Sequence, residues 1–153
     1  MKRAKRTKRK QPLPKPARRE RNAVNYEALA KFRHELRKFQ AFSEEAAKKA
    51  GLTPQQHQAL LMIKGFSETS TVSVGDLAKL LVIRHHTAAE LIDRLVKLRL
   101  LTKTIDGVDS RRVVTSLTRN GEGKLQQLSR IHSEELRATA PALVRTLRLF
   151  RQP

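Results

Sequence analysis

The chain has 153 residues, 39% of them hydrophobic and 4% aromatic, enough for one domain with a real core but not for an extensive base-stacking surface. Its 33 Lys and Arg against 14 Asp and Glu give a formal net charge of +19, which points to polyanionic partners. With no cysteine, disulfides, thiolate metal sites and thiol nucleophiles are excluded.

Charge is concentrated at the start. Residues 1–21 hold 11 Lys and Arg and one Glu, interrupted by Pro12, Pro14 and Pro16. A like-charged, proline-broken block is expected to be a disordered arm, either a solubilising tail or a sequence-blind phosphate binder. No apolar segment follows it, so it does not read as a secretory signal. No apolar run approaches the roughly 18 residues of a membrane span. The expected location is the cytoplasm, on the nucleoid.

From Tyr26 the pattern turns helical. Leu29, Phe32, Leu36, Phe39, Phe42 and Ala46 recur at three- and four-residue steps, and Gly51 suits a left-handed cap. Thr53-Pro54-Gln55-Gln56 opens a second helix: an N-cap Thr, Pro at the first position, Gln three residues on. That helix carries Leu60, Leu61 and Ile63 and fades around Gly65. Ser73 with Asp76 reads as a capping box for a third helix burying Val74, Leu77, Ala78 and Leu81. A fourth is expected over Thr87–Leu98, with Ala88, Leu91, Ile92, Leu95 and Leu98 on its apolar side.

Leu101–Ile105 and Val113–Leu117 are strand-like, and the Asp106-Gly107 turn signal between them predicts a hairpin with a charged tip. Thr118 is placed to cap a fifth helix through Leu125, Leu128, Ile131 and Leu136, and Pro141 to open a short last one. The expected fold is mainly α with a small β-hairpin: a winged helix-turn-helix over 52–117, flanked by helices over 22–51 and 118–153.

In this order of elements the third helix braces the fourth, whose N-terminal residues face base edges in the major groove. The base-reading candidates are Arg84, His85, His86, Thr87, Ala89 and Glu90. Arg forks onto guanine, imidazoles meet purine edges, and Thr87 or Ala89 suits a thymine methyl. Glu90 either accepts from cytosine or repels phosphate at wrong sites. Arg94, Lys103 and Arg112 complete the expected contact set, the last two as phosphate clamps. A hairpin tip is narrow enough for the minor groove, where Arg111 meets concentrated negative potential; the alternative for Arg111 is a solvated charge. Asp109 is expected to position the tip, by accepting backbone donors or by pairing with Arg94 or Arg111.

These pieces resemble the MarR family of bacterial transcriptional regulators from about Tyr26 to Leu136. The likeness rests on Leu52-Thr53, on Ser73-Val74-Gly75-Asp76-Leu77-Ala78, and on the run from His85 to Leu95. It rests most on Asp109-Ser110-Arg111-Arg112 ahead of Ser116-Leu117-Thr118 and Gly121. The resemblance implies a homodimer held by its terminal helices, binding pseudo-palindromic double-stranded DNA, usually as a repressor released by a small ligand. One departure stands out: the turn before the fourth helix reads Leu81-Val82-Ile83 where the family usually has Gly or Asn, so Val82 would bear the strain of a positive φ.

Dimerisation also follows from the residues. Leu29, Phe32, Leu36, Leu143, Val144, Leu147 and Phe150 supply more apolar surface than one small winged domain covers. A twofold pair would space its reading helices by ~34–36 Å. A cleft lined by Phe39, Phe42, His57, Leu61 and Phe66 would suit a hydrophobic or aromatic effector, although such residues equally serve as core. Adjacent His85 and His86 diverge by about 100° on a helix, and His34, His57 and His132 stand singly, so neither a metal nor another cofactor is expected. No nucleotide loop or nucleophile motif appears, and the chain does not read as an enzyme. The rival readings are a non-specific nucleoid- or RNA-associated protein and a winged module that docks on protein.

Overall fold

A computed structural model describes residues 24–67, 71–107, 109 and 112–150. The expected basic arm 1–21 and the wing-tip Arg111 lie outside the described residues.

Each helix begins where a side chain can satisfy its unpaired N–H groups. Asn25 accepts from the Ala28 amide at 3.0 Å and opens α1 (Tyr26–Lys49). Gly51, at φ 73°, ends it, and the Leu52 amide donates back to the Ala47 carbonyl at 2.9 Å. Thr53 and Gln56 cap each other reciprocally, with Pro54 at the first position of α2 (Pro54–Phe66). Ser73 and Asp76 do the same for α3 (Val74–Leu81). Then α4 (His85–Lys97) starts two residues before its expected Thr87 start, because Arg84 already has extended backbone and serves as the N-cap.

The strands β2 (Leu101–Ile105) and β3 (Val113–Leu117) form the expected hairpin, in antiparallel register from Leu101 opposite Leu117 to Ile105 opposite Val113. A third strand was not expected: β1 (Val72–Ser73) joins the far edge of β3, giving the order β1-β3-β2. Buried Thr115 ties this edge further, its hydroxyl donating to the Val72 carbonyl at 2.9 Å. Two residues are too few for an alternating pattern to be visible.

The core lies between α2, α3, α4 and the start of α5 (Arg119–Arg148). Leu60, Ile63, Leu77, Ile92, Leu95, Leu100 and Leu128 are fully enclosed, while α1 adds Ala46 and Ala47. Backbone proximity fixes the junction with α5. A Cβ on Gly121 would sit 2.2 Å from the Leu100 carbonyl oxygen, so only glycine lets α5 approach this closely. Thr118 secures the same corner, accepting from the Gly121 amide at 3.0 Å and donating to the Arg99 carbonyl at 2.7 Å.

The expected break at Pro141 is absent. One helix of 30 residues runs through it, and the terminal segment is the last turns of α5. Proline removes the donor to the Arg137 carbonyl, but residues on both sides keep helical bonds and α1 packs alongside. Tertiary packing outweighs the local signal here.

Among the described residues, two that are not glycine have positive φ: Val82 at 55° and Arg99 at 57°. Val82 is the expected strained position, in left-handed geometry at the end of α3. For an L-residue that geometry costs about 1–2 kcal/mol.

Candidate nucleic-acid interface

Ala88, Leu91, Ile92 and Leu95 are buried and fix the roll of α4. The opposite side is therefore solvent-facing, and Arg84, His85, His86, Glu90, Asp93, Arg94 and Lys97 are all exposed on it. Thr87 and Ala89 are half-buried beside them. The first turn of α4 carries no acid and no side-chain cap, so its backbone N–H groups and positive helix end meet solvent next to Arg84. This end can receive an anion and present forked donors at once.

Both acids on this face have basic partners. Glu90 pairs with Arg94 at 3.4 Å, and Asp93 accepts from the Lys103 ammonium on β2. That hydrogen bond and charge hold the Asp93 carboxyl below the usual carboxylate range. Lys103, expected as a phosphate clamp, thus links the hairpin to the helix in the free protein.

Arg112 differs more from expectation. Its guanidinium donates to Asp76 Oδ2 at 2.5 Å and to the Thr71 carbonyl at 3.1 Å, with Asp106 Oδ2 at 3.8 Å. It therefore anchors the hairpin to the start of α3. Asp76 is the hub, also receiving the Ser73 hydroxyl at 2.6 Å and the Ser73 amide at 3.0 Å. Ser73 first, and Arg112 after it, lower its carboxyl to about 2. Turn bonds close the wing: the Arg112 amide donates to the Asp109 carbonyl at 2.9 Å, and the Asp106 amide to the Arg112 carbonyl at 2.8 Å.

The seven residues expected at a dimer contact gather where α1 meets the end of α5. Phe32 lies edge-on to Phe150 with ring centroids 6.4 Å apart. Phe32, Leu36 and Leu143 are half-buried, whereas Leu29, Val144, Leu147 and Phe150 are exposed.

The expected effector cleft resolves differently. A cavity of about 610 Å³ lies against α5, lined by Lys64, Arg119, Glu122, Leu125 and Ser129 among others. A second, of about 380 Å³, runs between α1 and α5 past Phe42, Ala46, Lys49, Leu128 and Ile131. Of the five residues expected to line a cleft, Phe42 lines the second. Leu61 and Phe66 are exposed, and His57 is core.

His57 and His132 do not stand singly. Their rings lie 4.6 Å apart at 40°, with Phe39 and Phe42 edge-on to His132 at 6.0 and 5.7 Å. His132 Nδ1 reaches the Leu128 carbonyl at 2.7 Å and Nε2 meets Ser43 Oγ at 2.9 Å. The carbonyl requires a proton on Nδ1, so Nε2 accepts from the serine. His57 Nδ1 is buried with no partner, and burial, then His132, push the His57 imidazole down to about 4. Residues so distant in sequence carry no pairing signal; only Phe39 and Phe42 on one stripe hinted at a pocket. Among the described residues no three His, Cys, Asp or Glu side chains converge as a metal site.

The MarR family model matches residues 50–112. That stretch, from the end of α1 to the hairpin, is similar to the MarR family. Solved structures extend the likeness to the whole fold. Wild-type MarR from Escherichia coli, in its apo form, is 19% identical, with a TM-score of 0.66 over 84% of this chain and 95% of that one. MepR, a transcription regulator of the Staphylococcus aureus multidrug efflux pump MepA, is 19% identical, with a TM-score of 0.66 over 77% and 84%. The MepR–DNA complex is 20% identical, with a TM-score of 0.61 over 76% and 82%. Among curated proteins, none matches the chain in sequence. The architecture is the MarR winged-helix fold, mostly helical with a small three-stranded sheet, and no described helix is long and apolar enough to cross a membrane.

Proposed function

We propose that this chain is a MarR-family, sequence-specific regulator that binds double-stranded DNA as a homodimer, repressing transcription at pseudo-palindromic operators and releasing them in response to a small ligand. The observation that carries the reading is the exposed row Arg84-His85-His86 at the uncapped, acid-free start of α4. Its position is set by Leu91, Ile92 and Leu95 beneath. In the complex α4 occupies the major groove, Thr87, Ala89 and Glu90 flank the readers, and the wing with Arg111 reaches the minor groove. Arg94 and Lys103 exchange their carboxylate partners for phosphate, while Asp109 and Arg112 hold the wing at its angle. The apolar surface of Leu29, Val144, Leu147 and Phe150 supports the dimer. The cavity beside Phe42 supports a hydrophobic or aromatic effector.

Selection of bound duplexes from a random pool, followed by competition with random DNA and with RNA, tests this. A regulator yields a two-part motif and a specificity ratio of ~10³ or more. The logarithm of its affinity falls against that of salt with a slope of magnitude roughly 6–10. Equal competition by random duplex and RNA replaces this reading with charge-driven, sequence-blind binding, consistent with the +19 net charge.

A further inference from the structure

Among the described residues, three helices end on a left-handed residue: Gly51, Val82 and Arg99. They differ in what the geometry costs and what offsets it. Glycine has no Cβ to clash. Arg99 is unbranched at Cβ, and its carbonyl is held by the Thr118 hydroxyl at 2.7 Å, a tertiary contact that fixes the conformation.

Val82 has neither advantage. It is branched at Cβ, the class for which this region is a genuine outlier. Its turn is held by backbone bonds, from the Val82 amide to Lys79 at 3.2 Å and from the Ile83 amide to Ala78 at 3.0 Å, which glycine or asparagine would make equally well. The side chain is 91% exposed and gains almost nothing from folding. The chain thus carries, at a strained position, an apolar group with no contact of its own to offset the strain. Unrepaid strain of this kind is a pointer to a function outside the fold. Its place indicates which: Val82 stands two residues before Arg84, at the same end of α4 as the exposed readers.

We propose that Val82 is a DNA-contacting specificity residue whose isopropyl group packs against a thymine 5-methyl at the edge of the site read by α4. The thymine methyl is the apolar feature of the major groove, and a side chain with a single stiff torsion loses little freedom in meeting it. This rests on the reading of α4 as the DNA-reading helix.

The experiment compares the full chain with Val82→Gly and Val82→Asn on a duplex selected by the wild type. The same duplex is then made with deoxyuridine in place of each thymine in turn. Relief of strain raises the melting temperature by about 2–4 °C. Loss of the contact lowers affinity about 3–10-fold, so stability and binding move in opposite directions. One uridine position weakens the wild type by a similar factor and leaves both variants unaffected. Affinity unchanged or improved in the variants overturns the proposal. So does a fall in affinity together with melting temperature, the mark of a structural role, or a fall that couples to no uridine position. A wild type that prefers no duplex over random DNA removes the DNA reading itself, and this inference with it.

Discussion

The winged half and the terminal helices solve opposite packing problems. Around α4, the inward Leu91, Ile92 and Leu95 are enclosed, only Leu98 of the expected apolar side being exposed because the helix has ended there, and seam polar groups are paired, as in the Ser73–Asp76–Arg112 network and the Thr115 bond to Val72. Where α1 meets the end of α5, Leu147 and Phe150 remain 48% and 45% exposed, and the best enclosed residues are small, Ala28 and Thr146. One region is finished within a single chain, and the other presents surface. Between them sits the His57–His132 stack, a buried polar joint in an otherwise aliphatic core.

That contrast can be broken at several points. The largest effect is expected inside the finished half: Leu95→Ala should cost about 2–5 kcal/mol in urea unfolding at fixed protein concentration, since the enclosed site cannot collapse around the void. The joint comes next. His57 titrates near 4 in the folded chain against an ordinary 6.5, so between these values the unfolded chain binds the proton and the folded one does not. Stability is therefore full above pH 6.5 and declines as pH falls towards 4, by up to about 3 kcal/mol. His57→Leu should flatten the slope of urea midpoint against pH over that interval; an unchanged slope would place the acid sensitivity elsewhere.

Leu147→Asp probes the surface-presenting half. It should weaken self-association about 30-fold, on the order of 2 kcal/mol for one apolar side chain, as read by concentration-dependent light scattering. The far-UV spectrum of the winged half should persist. A monodisperse single subunit in the wild type would show that this surface serves something other than a second copy. The smallest effect belongs to a seam: Ser73→Ala removes the cap of α3 and the main donor to Asp76, for about 1 kcal/mol.

Local chemistry made much of this legible in the sequence. Thr53 and Gln56, Ser73 and Asp76, and Thr118 each announce a helix start within four residues, and both hairpin strands appear at their expected bounds. The exposed face of α4 followed from its apolar period alone. What escaped depended on distance or on override. The β1 strand is defined by its partner β3, the histidine stack joins α2 to α5, and Pro141 is carried through by the helix beside it. Arg112 read as a phosphate clamp because the carboxylate that claims it belongs to a different element.

Gly121 has a mechanical consequence. With main chain resting on main chain at Leu100, no side chain there can act as a cushion, so the base of α5 and the exit of α4 turn as one piece. From that pivot to its end at Arg148, α5 extends about 40 Å, and a one-degree tilt displaces the far tip by about 0.7 Å.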